Sequence, residues 1–365
     1  MKVGITGLPQ SGKTTIYNAL TGQHADTGAY YHKGGGADQH ISVIKVPDTR
    51  LDNIEELVNP KKKTNATIEL HDFAGLVKKE GGKKISDKEY LDAMSKVDVL
   101  MVVVRAFESE LVIHPEGSLD PLRDLNTFAT EILLRDLEII EQKLARLKRL
   151  PKKKENLEEN REIELLERCK TSLEEEIPLR NYEFTNEETK MIKGFQFLTY
   201  KRILIVLNIG EDEIRKEDRA PELFKDYLAE STALCASICG SIEQEISELD
   251  ESDAKEFMSD YEIDEPAAAK IIRLCYDLTG LITFFTAAEN EVRAWPITSG
   301  LKAPQAAGTI HTDFERGFIR AEVIDFAHYI ENKSEAACKE KGLMRLEGKD
   351  YVVKDSDVIL FRFNV

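Results

Sequence analysis

The chain has 365 residues, enough for two or three domains, and its apolar content of 42% suits an ordinary buried core. A net charge of −17 argues against a general nucleic-acid binder, while leaving room for a local basic patch. No apolar run reaches the roughly 18 residues of a membrane span, Lys2 opens the first strand with no secretory leader ahead of it, and the cysteines at 169, 235, 239, 275 and 338 suit reduced thiols of a cytoplasmic protein better than disulfides or zinc.

In chain order, Val3 and Ile5 predict a short buried strand, and Ile16, Tyr17, Ala19 and Leu20 predict the face of a helix. Between them lies Gly7-Leu8-Pro9-Gln10-Ser11-Gly12-Lys13-Thr14, which fits the P-loop pattern G-x-x-x-x-G-K-[ST] in the strand–helix setting that pattern needs. Its glycines let backbone N–H groups curl around phosphate oxygens, and the helix that follows points its positive end at them. Lys13 would add a charge near the β- and γ-phosphates, and the Thr14 hydroxyl could ligate Mg²⁺. Residues 24–40, rich in Gly and His without a period, read as a switch-like loop rather than a metal site.

Strands are expected at Ile41–Val46 and Ala66–Leu70, the second running into Asp72-Phe73-Ala74-Gly75. D-x-x-G at a strand end behind a P-loop suits a nucleotide switch: the Asp reaches the Mg²⁺ shell and the Gly N–H meets the γ-phosphate. Apolar runs at Val97–Val104 and Ile203–Leu207 read as parallel strands. Leu133, Leu137, Ile140, Leu144 and Leu147 form a heptad seam, broken at Pro151, and Leu157, Leu166 and Leu173 mark a return helix. The result is an antiparallel helical hairpin whose tip carries Arg146, Lys148, Arg149, Lys152, Lys153 and Lys154, either a solvated turn or a contact for phosphate-rich RNA. The acidic stretch 211–262 reads as the last helices of the nucleotide domain, and from about Leu281 alternating segments predict a small α+β module.

These residues resemble the YchF/Obg-like ATPases. The resemblance rests on the P-loop, on Asp72-Phe73-Ala74-Gly75-Leu76-Val77, on Asn208-Ile209-Gly210-Glu211, and on a C-terminal string from Val292-Arg293-Ala294-Trp295 through Ile310 to Glu322. It covers essentially the whole chain. It implies an α/β fold: a P-loop NTPase domain over 1–280, an antiparallel hairpin (coiled coil) inserted at 122–198, and a C-terminal β-grasp (ubiquitin-like) TGS domain at 281–364. It also implies a slow ATP-hydrolysing switch that uses Mg²⁺ and binds the ribosome (large subunit or whole particle) and thereby rRNA, with neither membrane nor DNA as partner. Carried over residue by residue, Gln10, Ser11, Gly12, Lys13, Thr14 and Thr15 would hold the phosphates, Thr14 and Asp72 the metal, and Asn208, Ile209 and Glu211 the base. His114, Lys13 and Gly75 would act in hydrolysis.

The preference for ATP has a partial physical reason. In N-K-x-D GTPases the Asp accepts hydrogen bonds from guanine N1–H and its amino group, donors that adenine lacks. Here Glu211 stands at the Asp position and Ile209 at the Lys position, so the carboxylate is misplaced for guanine. Cys239-Gly240-Ser241 occupies the usual S-A-K segment. Leu76 stands where Ras-like switches carry a water-orienting Gln, so a substitute must come from elsewhere or the basal rate is slow; the resemblance points to His114, in a loop expected at the same sheet edge as the P-loop, with a loop-packing histidine as the alternative. The chain departs from the family at Gln10, usually Asn, and at Gly36, where a Mg²⁺-binding Thr is usual; Thr27 and Asp38 are the nearest replacements. A GTP-binding switch and a nucleotide-dependent scaffold with negligible hydrolysis are the alternatives.

Overall fold

The structure is a computed structural model that describes residues 1–22, 40–73, 87–110, 112–149, 157–214, 218–229 and 231–364. The chain divides into two units, one made of 1–43 and 69–275, the other of 44–68 and 276–365. Its elements begin β1 (Lys2–Thr6), α1 (Lys13–Thr21), β2 (His40–Lys45), α2 (Thr49–Val58), β3 (Lys63–Thr64), β4 (Thr67–Asp72), α3 (Asp87–Met94) and β5 (Val99–Ala106). After the inserted helices α4 (Pro121–Arg149), α5 (Leu157–Glu174) and α6 (Asn186–Phe195) come β6 (Arg202–Ile209), α7 (Ala220–Leu223), α8 (Lys225–Ala229), β7 (Leu234–Ile238), α9 (Gly240–Glu248), α10 (Glu251–Asp260) and α11 (Ala267–Leu278).

One sheet has the order β2-β4-β1-β5-β6-β7. The pairs β1–β4, β1–β5, β5–β6 and β6–β7 are parallel, and every residue of β5 is buried, as a strand covered on both faces requires. Register sets Ile5 beside Asp72, Thr6 beside Val102, Ala106 beside Ile209 and Asn208 beside Ile238. Parallel strands thus end together, and the C-terminal ends of β1, β4, β5, β6 and β7 gather at one edge, where open α/β sheets bind ligands.

The hairpin seam is realised. Ile140, Leu144 and Leu147 of α4 are buried with Leu166, Cys169 and Leu173 of α5, and Leu133 and Leu137 pack against them. Near one end of the seam Glu141 pairs with Lys170, and further along α4 Lys148 pairs with Glu167, as antiparallel helices require. At the hairpin base Asp136, fully buried, accepts from the N–H groups of Leu198 (3.0 Å) and Thr199 (2.7 Å) and from the Thr199 hydroxyl (2.7 Å). Arg146, Lys148 and Arg149 lie in the last turn of α4, whereas Lys152, Lys153 and Lys154 fall outside the described residues. The acidic stretch read as helices also holds a strand: Leu234-Cys235-Ala236-Ser237-Ile238 is β7, too short and too mixed in polarity to carry an apolar-run signal.

The second unit continues through β8 (Leu281–Ala287), β9 (Val292–Thr298), α12 (Ala303–Ile310), α13 (Thr312–Arg316), β10 (Phe318–Asp325), α14 (Phe326–Asn332), α15 (Glu335–Glu340), β11 (Arg345–Glu347) and β12 (Asp357–Phe363). Its sheet order is β11-β10-β12-β8-β9-β3, with β8 and β12 parallel and β8–β9, β10–β12 and β10–β11 antiparallel. The small residues Ala303, Ala306 and Ala307 let α12 lie close over Phe284, Ile297, Val323 and Phe361, a helix packed across a mixed sheet. Here the unit is larger than the sequence suggests. It takes in 44–68: β3 adds a parallel edge strand to β9 (Lys63 beside Val292), and the Thr64 hydroxyl donates to Glu291 (2.6 Å). Arg50 of α2 donates to Asp355 (2.6 Å) and Ser356 (2.7 Å) and lies over the Phe285 ring.

Candidate nucleotide site

The loop after β1 has the backbone a phosphate cradle needs. Gly7 (φ 132°) and Gly12 (φ 93°) lie in the left-handed half of conformational space. A Cβ on Gly7 would come 2.3 Å from the Val103 carbonyl oxygen, and one on Gly12 2.1 Å from Asn208 Nδ2, so neither position admits a side chain. Gln10 also has positive φ (62°) and is exposed at the loop's crest. Lys13, the first residue of α1, is buried, and its Nζ donates to the carbonyls of Gly7 (3.1 Å) and Leu8 (2.7 Å). Burial pulls its pKa down to about 8, against the opposing pull of the Asp72 carboxylate. Thr14 is exposed and Thr15 half-buried; the buried Ser11 Oγ finds no partner among the described residues.

Asp72 ends β4 almost wholly buried, close enough to Lys13 for their charges to interact. Gly75 and Leu76 lie outside the described residues, as do Thr27, Gly36 and Asp38. Tyr90 of α3 brings its hydroxyl within 2.7 Å of Thr6 Oγ1 at the root of the phosphate loop, and burial pushes the phenol up to about 12.

Asn208 is a strut between two loops. Its Nδ2 donates to the Ser11 carbonyl (3.0 Å) and its Oδ1 accepts from the Gly240 N–H (3.1 Å), tying the phosphate loop to the Cys239–Ser241 turn. Glu211 is exposed, and one of its carboxylate oxygens accepts from the Ser241 hydroxyl (3.3 Å). Ile209, the last residue of β6, is half-buried. Two neighbours were not legible as site residues. Phe107, just past β5, lies against both Gly12 and Gly210, where it can stack on a base. Arg105 holds it there: Nε donates to the Phe107 carbonyl (3.0 Å) and the guanidinium lies over the ring at 4.5 Å. A lone arginine closing the apolar run Val102–Val104 is the trace this leaves in the sequence.

His114 lies in the turn between β5 and α4, its side chain only 8% exposed. The Glu116 N–H donates to its Nδ1 (3.2 Å), so Nε2 carries the proton and donates to Asp124 Oδ2 (2.8 Å). His114 and Asp124 share with Gly7, Leu8, Pro9 and Ser11 the lining of a cavity of about 10 Å³, room for one water. The structure therefore brings together Ser11, Gly12, Lys13, Asp72, Asn208 and Glu211 at one sheet edge, and places His114 beside the phosphate loop with both ring nitrogens occupied.

Two family models match the chain: "50S ribosome-binding GTPase" over residues 2–143, and the C-terminal region of YchF GTPases, described as "Protein of unknown function (DUF933)", over 281–364. The chain is 40% identical over 367 residues to the Ribosome-binding ATPase YchF of Bacillus subtilis (strain 168), covering 100% of each. It is 38% identical to the protein of that name from Escherichia coli O157:H7 (100% of this chain, 99% of the relative). It is 35% identical to Obg-like ATPase 1 of Oryza sativa subsp. indica (100% and 92%). Among solved structures, the Schizosaccharomyces pombe YchF GTPase superposes with a TM-score of 0.85 at 30% identity, over 99% of this chain and 97% of that one.

Proposed function

The chain belongs to the YchF family, and we propose that it is a cytoplasmic nucleotide switch that binds ATP in preference to GTP, hydrolyses it slowly and acts on the ribosome. The observation that carries this reading is the end-to-end likeness, at 40% identity, to a protein named Ribosome-binding ATPase. The site supports it. On binding, Lys13 would exchange the Gly7 and Leu8 carbonyls for phosphate oxygens, while the amides at the start of α1 face the same charge. Phe107 offers a face to the base, and Asn208 keeps that face in register with the phosphate loop. Ile209 offers no cation, and Glu211 is turned to Ser241, so the guanine-reading carboxylate geometry is missing.

The hydroxyl of Thr14 and the carboxylate of Asp72 are hard oxygen donors that fit Mg²⁺; Thr14 follows Lys13 at the start of α1, and Asp72 is close enough to Lys13 for their charges to interact. The ion would neutralise phosphate charge. In hydrolysis His114 would position water, with Lys13 and the Gly75 amide facing the γ-phosphate. The C-terminal unit is read as a TGS domain, and the basic end of α4 as one of the ribosome contacts. A GTP-preferring switch is the second reading, favoured by the word GTPase in the matched descriptions. Titration calorimetry with ATP and GTP separates the two: ATP should bind more tightly, and the double change Ile209→Lys, Glu211→Asp should raise GTP affinity. GTP binding at least as tight as ATP in the unchanged protein would overturn the first reading.

A further inference from the structure

Both ring nitrogens of His114 are engaged, and one of the groups that holds it lies on the hairpin. Nδ1 is occupied by the Glu116 amide and Nε2–H by Asp124. Asp124 is 4% exposed and sits in the first turn of α4. Its other oxygen is braced by Arg123, through Nη2 (2.8 Å) and Nε (3.2 Å). The same guanidinium reaches back to the Ser118 carbonyl (2.7 Å) and hydroxyl (2.8 Å), so the loop that carries His114 is fastened to α4 at two points. Between them Gly117 turns with φ 75° and nothing within 4 Å of where a Cβ would be.

We propose that Asp124 is a positioning residue that latches His114 with its Nε2 engaged, so that His114 acts on water only when the Asp124 contact opens. The proposal rests on the reading of His114 as the water-positioning group. A His–Asp pair can instead orient an imidazole for work, as in hydrolase triads, but there the other ring nitrogen faces the reacting atoms. Here that nitrogen accepts from a backbone amide, so neither nitrogen is free to hold a water until one of the two contacts opens. The latch shares a helix with the hairpin seam at Ile140 and Leu144, so a partner that tilts α4 would act on the latch directly.

The test is single-turnover hydrolysis at saturating Mg-ATP by the full chain and four variants: Asp124→Asn, Arg123→Ala, His114→Ala and the double change His114→Ala, Asp124→Asn. Asp124→Asn keeps the shape and weakens the latch, and should raise the rate about three- to tenfold while leaving the ATP dissociation constant unchanged. Arg123→Ala, at a partly exposed position, should act in the same direction if Asp124→Asn fails to fold. The gain must vanish in the double change. A rate lowered or unmoved by both Asp124→Asn and Arg123→Ala overturns the latch. An unchanged rate in His114→Ala overturns the reading beneath it, a separate result. A gain that survives removal of the imidazole also overturns the latch.

Discussion

Lys13 makes the ligand-free site sensitive to pH. Burial holds its ammonium at a pKa of about 8, far below the ordinary 10.5. A bound triphosphate would keep Nζ protonated, so above that pKa the free protein must take up a proton to bind. Between pH 7 and pH 9 the protonated fraction falls from about nine-tenths to about one-tenth, which weakens Mg-ATP binding about tenfold, or about 1.4 kcal/mol. Titration calorimetry at pH 7, 8 and 9 and fixed ionic strength reads the affinity; repeating it in two buffers of different ionisation enthalpy reads the proton uptake directly. Lys13→Arg, which stays charged throughout, should lose the pH dependence. Affinity that is flat to pH 9 with no proton taken up would refute the reasoning, because it would mean that the lysine is solvated in the free protein. Stability carries the same sign. With the folded pKa below the unfolded one, the buried charge opposes folding fully below about pH 8, and the penalty is relieved as pH rises from there towards 10.5. Lys13→Met should therefore raise Tm more at pH 7 than at pH 9.5.

Three other outcomes are expected. Asn208→Asp keeps the acceptor for Gly240 but sets a second acceptor against the Ser11 carbonyl, so nucleotide affinity should fall on the order of tenfold or more by calorimetry, with a lower Tm. Asp136→Ala leaves the Leu198 and Thr199 N–H groups and the Thr199 hydroxyl without their carboxylate, and should cost about 3–5 kcal/mol in urea unfolding of the hairpin base. Neutralising Arg146, Lys148 and Arg149 together with Lys152, Lys153 and Lys154 should weaken cosedimentation with ribosomes and flatten its salt dependence, because fewer phosphate counterions are released; an unchanged salt series would place the contact elsewhere.

What the sequence carried was whatever is local in it. The P-loop, the strand end at Asp72, the apolar strands and the heptad of α4 are each written in a short window, and the structure has them where the windows put them. What it hid depends on distant residues. Thr64 meets Glu291 across 227 positions, so nothing near Lys63 says that β3 joins the C-terminal sheet. β7 lies within an acidic stretch, and only its place beside β6 makes a strand of it. Phe107 gains its place by facing two glycines from different loops. Tyr90 gains its own by reaching Thr6, and Asp124 by reaching His114. A Tyr, a Phe or an Asp in isolation carries no such information.

The Asn208 strut has a consequence for selectivity. Two glycines face that side chain: a Cβ on Gly12 would sit 2.1 Å from Nδ2, and one on Gly240 3.2 Å from Oδ1. The phosphate loop and the turn beside the base are therefore both shaped to a single amide, and a shift of either loses a hydrogen bond of the other. Changes at Ile209 and Glu211 leave the amide in place, so they can alter which base is preferred without loosening the phosphates. Changes at Gly12, Asn208 or Gly240 cannot separate the two. They should weaken ATP and GTP alike, and the ratio of the two affinities distinguishes a residue that reads the base from one that holds the loops together.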